Sequence, residues 1–420
     1  MLPVSEEDQP DRQSLRQTLR EVVETLAPLD RTPCSPGERQ AAEWLARRLG
    51  AIEGVEVSLE DEPSWGTFPP TATGLGLLGL AGAALVLRGR RAVGALVAAV
   101  ALAGIVDEAQ NGPRIVRRLV RRKRATVNVI GRVGFEDRAL EPRGTLVVIA
   151  HHDAPQTGLL FEQTLQRRLY ERAPQILEAT KTPPPQWWIG LVAPLATIAT
   201  AAGARRGLAR AGMVVGALGT ALIADIWRSQ TVQGANDNLS GVAVLVGLAE
   251  LLRDEPVAGA RVMLVSCGAE ETLQDGIRAF IASHRHELAV ESTWFVNLDT
   301  VGSPHLVMLE AEGPIWMESY TGSWLSDLVA ERAERLGVVL HRGFRARAST
   351  DSIIPSRAGY PTATLLSMTD WRAPANYHLP TDVPANLDFG TVLDATRLVY
   401  DVLGSLAASP EGERGARVPS

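Results

Sequence analysis

Asp237 stands in the run Gly234-Ala235-Asn236-Asp237-Asn238-Leu239-Ser240-Gly241, a turn-forming stretch that opens onto the apolar helical pattern Val242–Leu252. A carboxylate at a helix start meets free backbone N–H groups and the positive end of the helix dipole. Such an Asp reads most simply as a helix cap; it is also well placed to bridge two cations. The second reading gains weight from what lies at the ends of the neighbouring strands. Thr145–Ala150, Ala260–Cys267 and Thr293–Asp299 have the composition of buried strands. They end in His151-His152-Asp153, in Gly268-Ala269-Glu270-Glu271, and on Asp299 itself before Thr300-Val301-Gly302. A loop after the last core strand carries Tyr377-His378. Ligands of open α/β sheets bind outside the carboxyl ends of the strands, so these imidazoles and carboxylates are expected to converge. Singly, each has an ordinary structural reading: a buried His–carboxylate pair, a solvated Glu pair, a turn-forming Asp. Jointly they are the nitrogen and oxygen donors that zinc takes, and a shared carboxylate holds two ions a few ångströms apart.

The elements that position these ends define a fold class. Further strands are expected at Val55–Leu59, Thr126–Val133, Leu306–Leu309, Val338–Leu340 and Thr362–Leu366. Helices fit Ser14–Leu26, Ser35–Leu49, Val242–Leu252, Leu273–Ser283, Trp324–Leu336 and Gly390–Leu403. The alternation predicts α/β architecture: a mostly parallel mixed sheet with helices on both faces. Ser35-Pro36-Gly37-Glu38 reads as a capping box with proline at the first helical position, and this N-terminal part is assigned no chemistry. A length of 420 residues allows one large domain or two smaller ones. A net charge of −6, without a basic stripe among aromatics, argues against a nucleic-acid partner. Cys34 and Cys267 lie far apart with no CxxC pair, so neither a disulfide framework nor a thiolate zinc site is indicated; Cys267 reads as core. The acidic start (Glu6, Glu7, Asp8, Asp11) is unlike a signal peptide. His284 and His286 are expected to face solvent from a helix, and His305 and His341 belong to no motif.

Two stretches interrupt this pattern. Trp65 to Leu87 is uncharged, Arg88, Arg90 and Arg91 break it, and Ala92 to Val106 is again uncharged before Asp107 and Glu108. The design recurs with Thr182 to Ala204, a break at Arg205, Arg206 and Arg210, and Ala211 to Ala224 ending at Asp225. We read two apolar helical hairpins, 65–106 and 182–228, inserted in a discontinuous domain made of 1–64, 107–181 and 229–407, with a disordered tail at 408–420. The second arm of each is shorter than the roughly 20 residues a bilayer-spanning helix needs. Absence of charge within the arms and arginines at the turns favour embedding in a membrane over soluble hairpins or arms lying in the interface. Small residues four apart (Gly79 and Ala83; Ala95 and Ala99) would allow close packing in lipid. Trp187 and Trp188 suit an interfacial belt. Both hairpins return the chain to the side it came from, so one domain can assemble on one membrane face. Seven basic residues in Arg114–Arg124, against six at the hairpin turns, lean towards the cytoplasmic face.

In order and wording the polar pieces resemble the di-zinc aminopeptidase family, metallopeptidase family 28. That family reads HxD, G-x-N-D-N-x-S-G, a-E-E with a glycine a little later, N-x-D, then Y-H. Here these are His151-His152-Asp153, Gly234 to Gly241, Ala269-Glu270-Glu271 with Gly276, Asn297-Leu298-Asp299, and Tyr377-His378. The Ser35–Leu49 helix is similar to the family's opening, so the resemblance covers the chain outside the hairpins. It implies an aminopeptidase holding two zinc ions and acting on peptides with a free N-terminus, which the hairpins would anchor to a membrane. His151 and Asp299 would complete one zinc site, Glu271 and His378 the other, with Asp237 bridging. Glu270 would be the general base, Asp153 would orient His151, and Tyr377 would hydrogen-bond the oxyanion.

The chain departs from the family in two places. His152 replaces the aromatic or aliphatic residue usual between His and Asp, and is read as a neighbour of the ligands. An entire hairpin stands where the family has a short loop between Asp153 and Gly234, at the mouth of the site, where it bears on access and substrate size. Other functions on the same fold are a carboxypeptidase, a one-zinc glutaminyl cyclase, or a non-catalytic membrane scaffold, though scaffolds typically lose ligands that are all present here.

Overall fold

The structure, a computed structural model, describes residues 10–133, 144–182 and 186–408, with side chains from Arg12 onward. Apart from Ala408, which ends a helix, the expected disordered tail lies outside the described residues.

Nine strands form one sheet: β1 (Val55–Ser64), β2 (Arg124–Val133), β3 (Thr145–His151), β4 (Arg261–Cys267), β5 (Thr293–Leu298), β6 (His305–Glu312), β7 (Glu318–Ser319), β8 (Leu340–Ala346) and β9 (Thr362–Met368). Their order is β1-β2-β4-β3-β5-β9-β6-β7, with β8 beside β6. The centre, β4-β3-β5-β9, is parallel, and its strands are almost wholly buried, as parallel strands covered on both faces must be. Antiparallel partners extend both flanks, β2 on β4 and β6 on β9. The expected mixed α/β sheet is present.

The helices on the sheet are α1 (Pro10–Leu26) and α2 (Pro36–Gly50); the first inserted pair is α3 (Pro69–Leu87) and α4 (Arg91–Ala109). Three short helices follow, α5 (Ile115–Val120), α6 (Thr164–Arg172) and α7 (Pro174–Glu178). The second inserted pair is α8 (Trp188–Ala201) and α9 (Arg206–Arg228). The rest are α10 (Ser240–Asp254), α11 (Asp275–His284), α12 (Ser323–Leu336), α13 (Ile353–Arg357) and α14 (Phe389–Ala408). One sheet face, with Leu146, Val148 and Leu264, packs on α1, α2, α10, α12 and α14. The other, with Val147, Ile149 and Val265, packs on Ile277 and Phe280 of α11 and Ile353 of α13. Odd and even strand positions thus serve opposite cores, which the period of two dictates.

The inserted helices associate as one four-helix group, α3 against α4 and α9, α8 against α4 and α9. Three of them (Pro69–Leu87, Arg91–Ala109 and Arg206–Arg228) are long and apolar enough to cross a membrane. Two expectations change here. In the second hairpin the short arm is the first one, α8 with 14 residues, while α9 runs for 23, because Arg206 and Arg210 enter the helix instead of the turn. The close-packed face of α4 is Gly94 and Ala98, one position from the expected Ala95 and Ala99; a Cβ on Gly94 would lie 2.6 Å from the Gly82 carbonyl. Four-residue spacing is satisfied by either pair, so spacing alone does not choose the face.

Candidate metal centre

Pairing register brings the polar strand ends together. His151 ends β3 opposite Cys267 of β4, and Ile149 pairs with Asn297 of β5, so the residues after each strand emerge side by side. Asp237 arrives from the segment before α10, and its neighbours show what the Asn-Asp-Asn-Leu-Ser-Gly wording does. Asn236 Nδ2 donates to Ser303 Oγ and its Oδ1 accepts from the Gly302 N–H. Asn238 Nδ2 donates to the Leu298 carbonyl while Oδ1 accepts from the Thr300 N–H. Ser240 Oγ accepts from the Val301 N–H. These bonds lace the segment to residues 298–303, which contain Asp299. Gly241 lets α10 start close against β5, since a Cβ there would lie 2.6 Å from the Leu298 carbonyl. Gly234 has φ +56°, the left-handed region, and a Cβ would meet the Asp237 carbonyl at 2.3 Å.

The resulting cluster is buried and rich in acceptors. His151 Nε2 lies 3.2 Å from Asp237 Oδ1, and His378 Nε2 lies 3.0 Å from Asp237 Oδ2 and 3.5 Å from Glu271 Oε1. Three sets of donor atoms lie within 4.8 Å of one another: His151, Asp237 and Asp299; Asp237, Glu271 and His378; and His151, Glu270 and Glu271. Glu270 Oε2 is 4.0 Å from His151 Nε2, and its Oε1 accepts a 2.5 Å bond from Gln274 Nε2. Asp153 sits behind the cluster: Oδ1 faces His151 Nδ1 at 3.3 Å and accepts from the Glu270 N–H, and Oδ2 accepts from the Glu271 N–H. The ring of Tyr377 stacks on His378 at 4.0 Å between centroids.

The donor set fits metal ions. Two donors about 2.0–2.1 Å from one tetrahedral zinc lie roughly 3.3 Å apart, close to the separations seen here. Electrostatics agree. Burial, then the charge of Asp237, raises the Asp299 carboxyl to about 7 and lifts Glu271 well above the usual carboxylate range. Burial raises Glu270 likewise. Burial alone would lower His151, but its contacts with Asp153 and Asp237 reverse that and raise it. Burial opposes ionisation of Asp237, and its bonds to His151 and His378 overcome this and hold it low. Carboxylates this close and this buried need positive charge among them, which bound cations supply.

Several supporting residues carry no recognisable signal in the chain. Arg31 is buried and donates to the carbonyls of His152 (2.8 Å) and Gln233 (2.7 Å), tying the end of β3 to the Asp237 segment. Asp382 accepts from the backbone N–H groups of Asn236 and Asp237. Gln274 holds Glu270 Oε1, and Asp351 lies buried close enough for His151 and Asp153 to affect its carboxyl. Glu38 corrects the reading that the N-terminal part has no part in the site. Its N–H donates to Ser35 Oγ as the box predicts, while its carboxylate accepts from the Cys34 N–H, one residue before the cap, and from the Ala269 N–H beside Glu270. His284 is likewise corrected: it is buried, stacks on Phe280 at 4.6 Å and bonds Glu60 and Glu287. His286 is exposed and Cys267 is core. His152 is not among the clustered donors; its Nδ1 pairs with Ser266 Oγ at 2.9 Å, and burial lowers it to about 4.

Residues 218–403 match the family model described as peptidase family M28. Over that stretch the chain is similar to peptidase family M28. The M28 stretch contains Asp237, Glu270, Glu271, Asp299, Tyr377 and His378; His151 and Asp153 precede it and join the cluster through β3. A comparison with curated protein sequences finds no match. Solved structures share the fold. LapB from Legionella pneumophila is 12% identical with a TM-score of 0.54, over 97% of this chain and 77% of that one. The aminopeptidase from Aneurinibacillus sp. strain AM-1 is 16% identical, TM-score 0.52, over 94% and 95%. A Bacteroides thetaiotaomicron glutaminyl cyclase bound to N-acetylhistamine is 13% identical, TM-score 0.51, over 93% and 97%. The M28 match and the donor set together support a zinc-dependent hydrolase of the metallopeptidase class.

Proposed function

We propose that the protein is a membrane-anchored aminopeptidase that uses two zinc ions to hydrolyse the first bond of peptides with a free N-terminus. The observation that carries this reading is Asp237, whose two oxygens face two separate donor sets, one through His151 and one through His378. His151 and Asp299 would hold one ion, Glu271 and His378 the other, with Asp237 shared; the geometry of both sets favours two ions over the single zinc of a cyclase. When bound, the ions supply an acidified water and polarise the scissile carbonyl. Glu270, close to His151 but held by Gln274, is the proton acceptor and then passes that proton to the leaving amine. Asp153 orients His151 and fixes the backbone of both glutamates. Tyr377 keeps its phenol protonated, because burial and the charge of Asp237 raise it, and so is a donor for a developing oxyanion.

The four inserted helices are proposed as the anchor, with the discontinuous domain of 1–64, 107–181 and 229–407 on the cytoplasmic face. Leu96, Val214 and Leu218, all exposed on the helix group, support contact with lipid. Arg118, Arg122, Lys123 and Arg124 remain exposed on the domain side, although Arg114 and Arg117 are withdrawn into buried ion pairs.

The test is hydrolysis of free and N-acetylated dipeptides, and cyclisation of a glutaminyl peptide, by detergent-purified protein with and without chelator. Chelator-sensitive cleavage confined to free N-termini, with two zinc ions per chain, is expected. Cyclisation with one zinc, or silence with no bound metal, overturns the reading in favour of a cyclase or a scaffold respectively.

A further inference from the structure

We propose that the ends of the two inserted hairpins form the wall against which the substrate's first side chain packs, and that this wall selects a small apolar N-terminal residue. The inference rests on the aminopeptidase reading. A narrow cleft beside Glu271 and His378 is closed on its other side by Phe68 and Pro69 at the start of α3, by Ile226 in the last turn of α9, and by Phe161. The residues that would hold a metal thus share the cleft with four apolar side chains, Pro69 and Ile226 in the inserted helices, Phe68 just before α3 and Phe161 from the loop, beside the polar Thr67 and Gln156.

The wall is held by its own contacts. Phe161 lies 4.2 Å from the His378 ring and 5.9 Å from that of Tyr377. Ile226 is buried, and the loop carrying Phe161 is packed tightly on it: a Cβ on Gly158 would lie 2.6 Å from Ile226 Cγ1. The Leu159 N–H donates to Asp225 Oδ2 at 2.8 Å, pinning that loop to α9. Phe68 rests on Trp187, the residue before α8, at 5.4 Å. Free space in the cleft is about 10 Å³, room for about one water. A methyl group suits such a space; an isobutyl group or a ring requires the wall to move. A charged side chain would lose its hydration against four apolar groups.

The test compares kcat/KM for dipeptides beginning with Ala, Leu and Phe, using full-length protein in detergent and its Ile226→Ala and Phe161→Ala variants. The unmodified protein is expected to prefer Ala. At least one variant is expected to shift the Leu-to-Ala ratio towards Leu by roughly tenfold or more, the usual worth of a few methylenes in a pocket. Zinc content in both variants should equal that of the parent, and Phe161→Ala, on a loop outside the helix group, serves if Ile226→Ala fails to fold. A parent preference for Leu or Phe, or ratios within about twofold of the parent in both variants, overturns the inference while leaving the aminopeptidase reading intact. Silence of the unmodified, zinc-loaded protein on every free dipeptide removes that reading, and this inference with it.

Discussion

Glu270 and Glu271 are adjacent, the first buried and the second partly so, and burial raises both carboxyls, yet their surroundings divide the work. Glu271 shares a donor set with His378 and Asp237, whereas Glu270 is held by Gln274 with one oxygen turned towards His151. Glu270→Gln should therefore lower kcat by roughly 10²–10⁴ with zinc content unchanged, measured by steady-state kinetics and metal analysis of one preparation. Loss of metal instead would exchange the two roles. Asp153→Ala should weaken zinc affinity about 10–100-fold in a chelator competition, since both His151 and the backbone of the glutamates lose their partner. These residues were legible in the sequence because each closes a strand or opens a helix, where one residue of order suffices to locate it. Arg31, Asp351 and Asp382 were not, because only tertiary approach shows which groups they support, and Gln274, four residues after Glu270, belongs to no motif. Arg31 meets His152 across 121 positions of chain and Gln233 across 202.

Between elements, the link that matters runs from the base of α4 to the loop after Glu271. Glu108 of α4 pairs with Arg117 at 2.5 Å, both side chains 1% exposed, and Arg117 also donates to the Thr272 carbonyl. Arg114 pairs with Asp275 at 2.8 Å and donates to the carbonyls of Thr272 and Leu273. Removing one partner strands a buried charge, so Arg117→Ala should cost roughly 3–5 kcal/mol and lower the thermal midpoint in detergent. The pair replacement Glu108→Leu with Arg117→Met should recover much of it. A second element-scale prediction concerns Glu312, at the end of β6. Burial raises its carboxyl to about 8, with the Thr350 hydroxyl and N–H partly opposing. An acid raised on folding stays neutral in the native state while the unfolded chain ionises. Stability is therefore full below about 4.5 and declines as pH rises towards about 8. Glu312→Gln should flatten the midpoint-against-pH curve across that window and melt above the parent at pH near 8. Elements were readable where a period of two or 3.6 persisted. Helix ends among uncharged residues were not, which is why α8 and α9 exchanged their expected lengths.

At the scale of the molecule, three helices among the described residues meet the length and apolarity of a membrane span, while α8, with 14 residues, rises about 21 Å and falls short of a hydrocarbon core of about 30 Å. Under the proposed orientation, a cysteine at exposed Gly207, at the far turn of the second hairpin, should react with an impermeant maleimide in intact cells. One at exposed Glu334 should react only after lysis, both in a Cys34→Ser background. The reverse pattern places the domain outside. The α/β class and the presence of hairpins could be read from the chain; the order of strands could not, since pairing partners are chosen by packing at distances no local pattern encodes.

That order has a consequence for biosynthesis. β4 lies between β2 and β3, yet it is made after both hairpins, at residues 261–267. A ribosome therefore delivers β2 and β3 as strands whose common neighbour does not yet exist, and all four inserted apolar helices are made before the sheet can close. Of the clustered donors only His151 is made before the second hairpin; Asp237 and every later one follow it. On the membrane-anchored reading, insertion would precede assembly of the donor cluster, and a nascent chain stalled anywhere before His378 would lack part of it.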